Sequence, residues 1–127
     1  IAYCPTGPLM SVISATGSAS VSTNDIVLHA NNVPTNKSGL FFFSRGQQSL
    51  PFGSSSLCVG GGGAPIRRFA VVNSGATTRL VFAVNLNSLP GGEVIAVGDV
   101  AYFQAWFRDA NPSATSNFTN ATAVTLL

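Results

Sequence analysis

Charge is scarce in this chain: Asp, Glu, Lys and Arg make up 8% of its 127 residues, about a third of the share usual in a soluble domain. Five Arg and one Lys leave a net charge of only +2, too weak to neutralise a run of phosphates, which argues against nucleic acid as a partner. No continuous apolar run reaches the roughly 18 residues of a membrane span, because Ser, Gly, Asn and Pro break every uncharged stretch. One His and two well-separated Cys leave neither a CxxC redox pair nor a Cys/His zinc set. Also missing are a capped apolar stripe at helical spacing, a G-x-S-x-G nucleophile elbow and a D-x-D-x-D calcium loop.

What is abundant is small, polar and uncharged. Fifteen Ser, ten Thr and ten Asn favour turns, caps and strand faces over helix interiors. Leu, Ile, Val and Phe occupy 37 positions, enough for the chain to fold. Where periodicity is visible it has a period of two. Thr78, Leu80, Phe82, Val84 and Leu86 alternate with Arg79, Val81, Ala83 and Asn85, which predicts a strand with its first set facing the core. Ala101 to Arg108 sets Ala101, Phe103, Ala105 and Phe107 against Tyr102, Gln104, Trp106 and Arg108, a second strand with one apolar and one amphipathic face.

Weaker strand patterns run over Leu9 to Thr16, Ala19 to Ser22, Ile26 to Ala30, Leu40 to Ser44, Ile66 to Val72, Glu93 to Val97 and Ala121 to Leu127. Turn chemistry separates them at Asn31 to Pro34, Pro51 to Gly53, Gly60 to Gly63, Asn73 to Gly75 and Leu89 to Gly92. The expected fold is all-β: an antiparallel two-sheet sandwich, Ig-like or jelly-roll, of about nine strands. Residues 1–127 read as one domain, with no linker and no internal repeat.

The inventory for catalysis is thin. His29 alternates with Leu28 and reads as a half-exposed strand residue. Asp25, Glu93, Asp99 and Asp109 are scattered near strand ends, where turn and cap roles account for them better than a carboxylate pair or a calcium site. Gly60 to Gly63 lacks the Lys-Ser/Thr of a phosphate loop and reads as a flexible loop. Arg67 and Arg68 must point to opposite faces of a strand, and Arg108-Asp109 reads as a local charge pair or a strand-end turn. No catalytic residue, metal ligand or cofactor is expected.

Aromatic side chains are the better candidates for binding. Phe41, Phe42 and Phe43 cannot share one face. Either their sheet is buried on both sides, or one of them meets a neighbouring subunit, or the run offers a sugar platform. Tyr102 and Trp106 share a strand face about 13 Å apart, a spacing that suits stacking on a polysaccharide as well as packing under a loop. Sequons at Asn36, Asn117 and Asn120 are possible glycosylation sites in a glycosylating host, although roughly two would arise by chance. Cys4 and Cys58 are either one disulfide or two inert buried thiols. A bridge would contribute about 4 kcal/mol by closing its loop, and the low Lys and Glu content speaks against a cytosolic protein. The start at Ile1 fits a processed or a trimmed chain, with any signal peptide already absent.

Several stretches carry a resemblance. Tyr3-Cys4-Pro5, Ala15 to Val21 with Asn24 to Leu28, Gly39 to Phe43, Leu50 to Gly53, Leu57 to Gly61, Tyr102 to Asp109 and Asn117 to Ala121 with Val124 to Leu126 together resemble a secreted β-module found in large extracellular proteins of planctomycetes and related bacteria. The resemblance covers nearly the whole chain and implies an exported β-module with no assigned reaction. Relatives of that kind often carry a further Cys where this chain has Leu126 and Leu127, so Cys4 with Cys58 is the pair expected by elimination.

The expected function is that of a non-enzymatic extracellular structural module: a self-assembling surface or filament subunit, or an adhesive domain, with itself or other surface proteins as partner. In the self-assembling version the Ala121 to Leu127 tail, or the segment before Gly17, adds a strand to a neighbour's open sheet edge. The alternative is a carbohydrate-binding module using Tyr102 and Trp106. Neither reading involves membrane insertion.

Overall fold

The structure, a computed structural model, describes residues 2–4, 11–52, 55–109 and 115–127. Leu9 and Met10 of the first expected strand, and Gly53 of an expected turn, lie outside them. Eleven strands run through the described residues, two more than the sequence pattern gives. They are β1 Ala2–Tyr3, β2 Val12–Thr16, β3 Val27–Asn31, β4 Ser38–Ser44, β5 Gln47–Phe52, β6 Ser55–Val59, β7 Arg67–Arg68, β8 Val72–Asn73, β9 Arg79–Ala83, β10 Val100–Asp109 and β11 Thr115–Thr125. The one helical element among these residues is a 3-10 turn at Pro90–Gly92.

A six-stranded sheet has the order β1-β11-β10-β4-β7, with β8 also pairing β4. A second sheet has the order β2-β3-β9, and β5 and β6 form a hairpin. All pairings are antiparallel. The main core lies between the two larger sheets: Ile13, Leu28, Ala30 and Leu80 face Phe41, Phe43, Phe103 and Phe107. Phe69 joins them, stacked 5.5 Å from Phe43 and tilted against Phe82 at 5.0 Å. Gly39 is needed where β4 passes beneath β9, since a Cβ there would stand 2.6 Å from both the Leu80 Cδ1 and the Trp106 carbonyl oxygen.

The large sheet is covered on its other face as well. Phe42, Cys58, Val59, Phe118 and Ala121 form a second cluster beneath the β5-β6 hairpin, so the sandwich carries a third layer. This resolves the Phe run. Phe41 and Phe43 enter the main core and Phe42 the outer one, at 0%, 2% and 3% exposure. Of the candidate partner contact Phe41, Phe42 and Phe43, the first and third are closed within the main core, and Phe42 keeps only a small exposed area on the outer face.

Two expected strands are absent. Ala19 to Ser22 bends into a turn, tied by backbone bonds from Leu127 N to Ala19 O and from Val21 N to Leu127 O, both 2.9 Å. Glu93 to Val97 is a loop held by charge instead of by a ladder. Arg45 reaches Glu93 at 3.4 Å and Asp99 at 3.0 Å, Arg67 reaches Glu93 at 3.0 Å, and the Asp99 carboxylate accepts from Ala96 N at 2.9 Å. Arg67 and then Arg45 hold the Glu93 carboxyl below its ordinary range, and the Ala96 N–H and then Arg45 do the same for Asp99.

Both groups bind fewer protons folded than unfolded. Their contribution is present above the carboxylate range near pH 4 and is lost as pH falls through and below it. The urea midpoint is expected to drop between pH 7 and pH 3, and to drop less in Glu93→Gln. Equal drops in the two proteins would show that the network does not hold the loop.

Candidate functional site

The outer face of the large sheet carries a cleft of about 350 Å³ beside the hairpin, near the lower end of the range of small-molecule sites. Strand register builds its floor. Phe118 of β11 lies opposite Trp106 of β10, and Trp106 lies opposite Leu40 of β4, giving one lateral row across three strands. Two residues along β4, Phe42 lies opposite Arg68 of β7. Leu57 of β6 and Ile66 complete the walls.

A β-bulge makes this row possible. Between the pairs Gln104–Ala121 and Trp106–Phe118 the register shifts, so Thr119 and Asn120 stand against Ala105 alone. Without the extra residue, Phe118 and Ala121 would point to opposite faces; with it, both join the outer cluster. The interrupted ladder is repaired locally. The Thr119 hydroxyl accepts from Ala105 N at 3.1 Å and donates to the Asn120 carbonyl at 2.6 Å, and the Asn120 side chain accepts from Ile13 N at 2.9 Å.

The hairpin is pinned by one buried amide. Gln104, at 0% exposure, accepts from Cys58 N at 2.8 Å and donates to Ser56 O and Thr119 O, both at 2.7 Å. The Cys4–Cys58 disulfide, with Cα atoms 6.3 Å apart, closes the same corner. Tyr3 adds a bond from its hydroxyl to Cys58 O at 2.7 Å; burial and the neighbouring Tyr102 push its phenol up to about 12.

The same bonds decide the fate of the sugar platform. Gln104 stands between Tyr102 and Trp106 on their shared face and ties β6 down over that position. Tyr102 lies edge-on beneath Tyr3, with ring centroids 5.8 Å apart, while Trp106 lines the cleft. The pair Tyr102 and Trp106 is thus not brought together as one surface.

Electrostatically the cleft is one-sided. Arg68 stands at its edge, and the Arg108 guanidinium lies 4.9 Å from the centre of the Trp106 ring. Among the described residues neither Arg has a carboxylate within ion-pair distance. Glu93 and Asp99 are committed to Arg45 and Arg67. The Asp109 carboxylate accepts from Asn117 Nδ2 at 2.7 Å, on the strand face opposite Arg108. Of the two readings of Arg108-Asp109, the charge pair is not formed, while Asp109 does stand at the end of β10.

The remaining candidates fall elsewhere. His29 Nε2 is hydrogen-bonded to the Thr16 hydroxyl at 3.0 Å, on the outer face of the small sheet. Asn36 is an exposed turn residue. Asn117 and Asn120, at 7% and 9% exposure, are held by the bonds just given, so the two sequons on β11 are closed in the folded chain. Gly60 to Gly63 is no loose loop at its start: Gly60 N donates to Gly46 O at 2.9 Å, and Gly61 bridges to Ala64. Among the described residues no group of three His, Cys, Asp or Glu could hold a metal ion, and no helix is long and apolar enough to cross a membrane.

Period two places Trp106 on the correct face but does not single out Arg68 as a site residue. The opposite orientation of Arg67 and Arg68 was the usable signal, since one had to face the Phe42 side. The molecule is an all-β chain of antiparallel sheets packed on each other and closed by a disulfide. Comparison with protein-family models, curated proteins and solved structures gives no match.

Proposed function

We propose that this chain is a non-enzymatic extracellular structural module of the adhesive kind, holding a partner through the cleft beside Trp106. The observation that carries the reading is the cleft itself: a concave apolar surface with an aromatic floor and, in Arg68, a cation without an acidic partner among the described residues. The Cys4–Cys58 bridge favours an oxidising compartment. The resemblance to exported β-modules points the same way.

Adhesion is preferred to polymerisation through the chain's own strands because those strands are occupied. Residues 121–125 lie within β11 and pair with β10 throughout, and Ala121 and Thr122 pair with β1 as well. Leu126 is 1% exposed and exchanges backbone bonds with Gly98 and Asp99. Val12 to Thr16 are consumed in β2. Donating either segment to a neighbour would cost the donor its own core.

The test uses beads bearing phenyl or octyl groups, beside cellulose and chitin, with light scattering and electron microscopy run on the same samples. Retention on the apolar beads is expected to fall about tenfold in Trp106→Ala at unchanged urea midpoint. Trp106-dependent retention on cellulose or chitin would replace this reading with the carbohydrate-binding one. Filaments formed by a protein that binds nothing would replace it with self-assembly.

A further inference from the structure

We infer that the cleft selects an apolar group bearing a carboxylate, of aryl or branched-alkyl type, with Arg68 as the anion-binding residue; this rests on the adhesive reading above. Three observations converge. Apart from the Trp106 indole N–H and Arg68, the lining offers no polar side-chain atom, so most hydroxyls of a sugar entering the cleft would lose water without replacement. That leaves an apolar body for the part that enters. Arg68 at the edge has no acidic partner among the described residues, and a guanidinium fork matches a carboxylate in two parallel bonds. Arg67, next in sequence, is spent on Glu93 at 3.0 Å on the opposite face, so the two arginines have separate tasks.

The second cation sharpens the choice. The Arg108 guanidinium lies over the Trp106 ring at 4.9 Å and is not among the residues lining the cleft, so it adds positive potential nearby and leaves Arg68 as the one cation in the lining. One free fork beside an apolar wall suits a singly charged, planar anion. A phosphate, with its higher charge, calls for several donors, and a cationic group would be repelled.

The chain's single tryptophan stands in the wall and reports occupancy directly. Trp106 emission is to be titrated with 3-phenylpropionate, with the neutral 3-phenylpropanol and with 3-phenylpropylamine. A saturable change is expected with the acid, about tenfold weaker binding of the alcohol, and no response to the amine. In Arg68→Gln the acid and the alcohol are expected to bind alike, while Arg68→Lys restores part of the preference. The acid preference is also expected to shrink as salt is raised.

Equal affinity for acid and alcohol in the wild type, or an acid preference that survives Arg68→Gln, would overturn the assignment. Should no small ligand change Trp106 emission while Trp106-dependent retention on phenyl beads persists, the carboxylate selectivity is lost and the adhesive reading stands. Should the retention be absent as well, both fall.

Discussion

Replacing Cys58 by Ser, or reducing the wild type, is expected to lower unfolding stability by about 4 kcal/mol in the chain-entropy account of a bridge spanning 54 residues. That is a large part of the roughly 5–15 kcal/mol available to a domain. The main core contains neither cysteine, so the two larger sheets should persist while the outer layer loosens. Urea unfolding with and without reductant measures the total. Hydrogen exchange at Ser55 to Val59 against Leu80 and Phe103 locates it, with protection expected to fall in the hairpin first. A loss below about 1 kcal/mol would mean that hydrogen bonding alone fixes the corner.

Gln104→Leu is expected to cost about 3 kcal/mol, although it adds apolar bulk to a buried site. The substitution removes the partner of two buried backbone groups, Cys58 N and Thr119 O, and of the part-buried Ser56 O, and each buried group left unpaired costs about 1–3 kcal/mol. Some relaxation of the hairpin toward water keeps the sum below the arithmetic maximum. Because Gln104 and the disulfide hold the same strand, their effects should not add. Gln104→Leu in the Cys58→Ser background should cost less than in the wild type, by 0.5 kcal/mol or more. Strict additivity in that cycle would show that the two fasteners act on separate parts of the molecule.

The sequence was most informative where a strand has one face on a continuous core. In β10 the set Ala101, Phe103, Ala105 and Phe107 is buried to 1% exposure or less, as the alternation predicts. Leu80, Val84 and Leu86 likewise lie within the core. The hairpin β5-β6 was missed because Gln47–Phe52 and Ser55–Val59 show little alternation and include Pro51. Glu93 to Val97 misled for the reverse reason, having strand-like composition but a backbone held by Arg45, whose guanidinium also meets the Val94 carbonyl.

The cleft was legible only in fragments. Trp106 and the divergent Arg67 and Arg68 follow from period two, but Phe118 joins them through a bulge, and Leu57 through the fold of the hairpin across the sheet. Neither signal is local. The residue types at Thr119 and Asn120 suit a bulge, yet nothing in their order distinguishes a bulge from a regular strand that begins at Ala121.

The position of β11 also sets a timetable for folding. This strand supplies Phe118 and Ala121 to the outer cluster, and the residue after it, Leu126, to the main core. It is also the strand that both β1 and β10 grip. Neither apolar layer is complete until these residues have joined it. A single late strand thus completes both sides of the large sheet together.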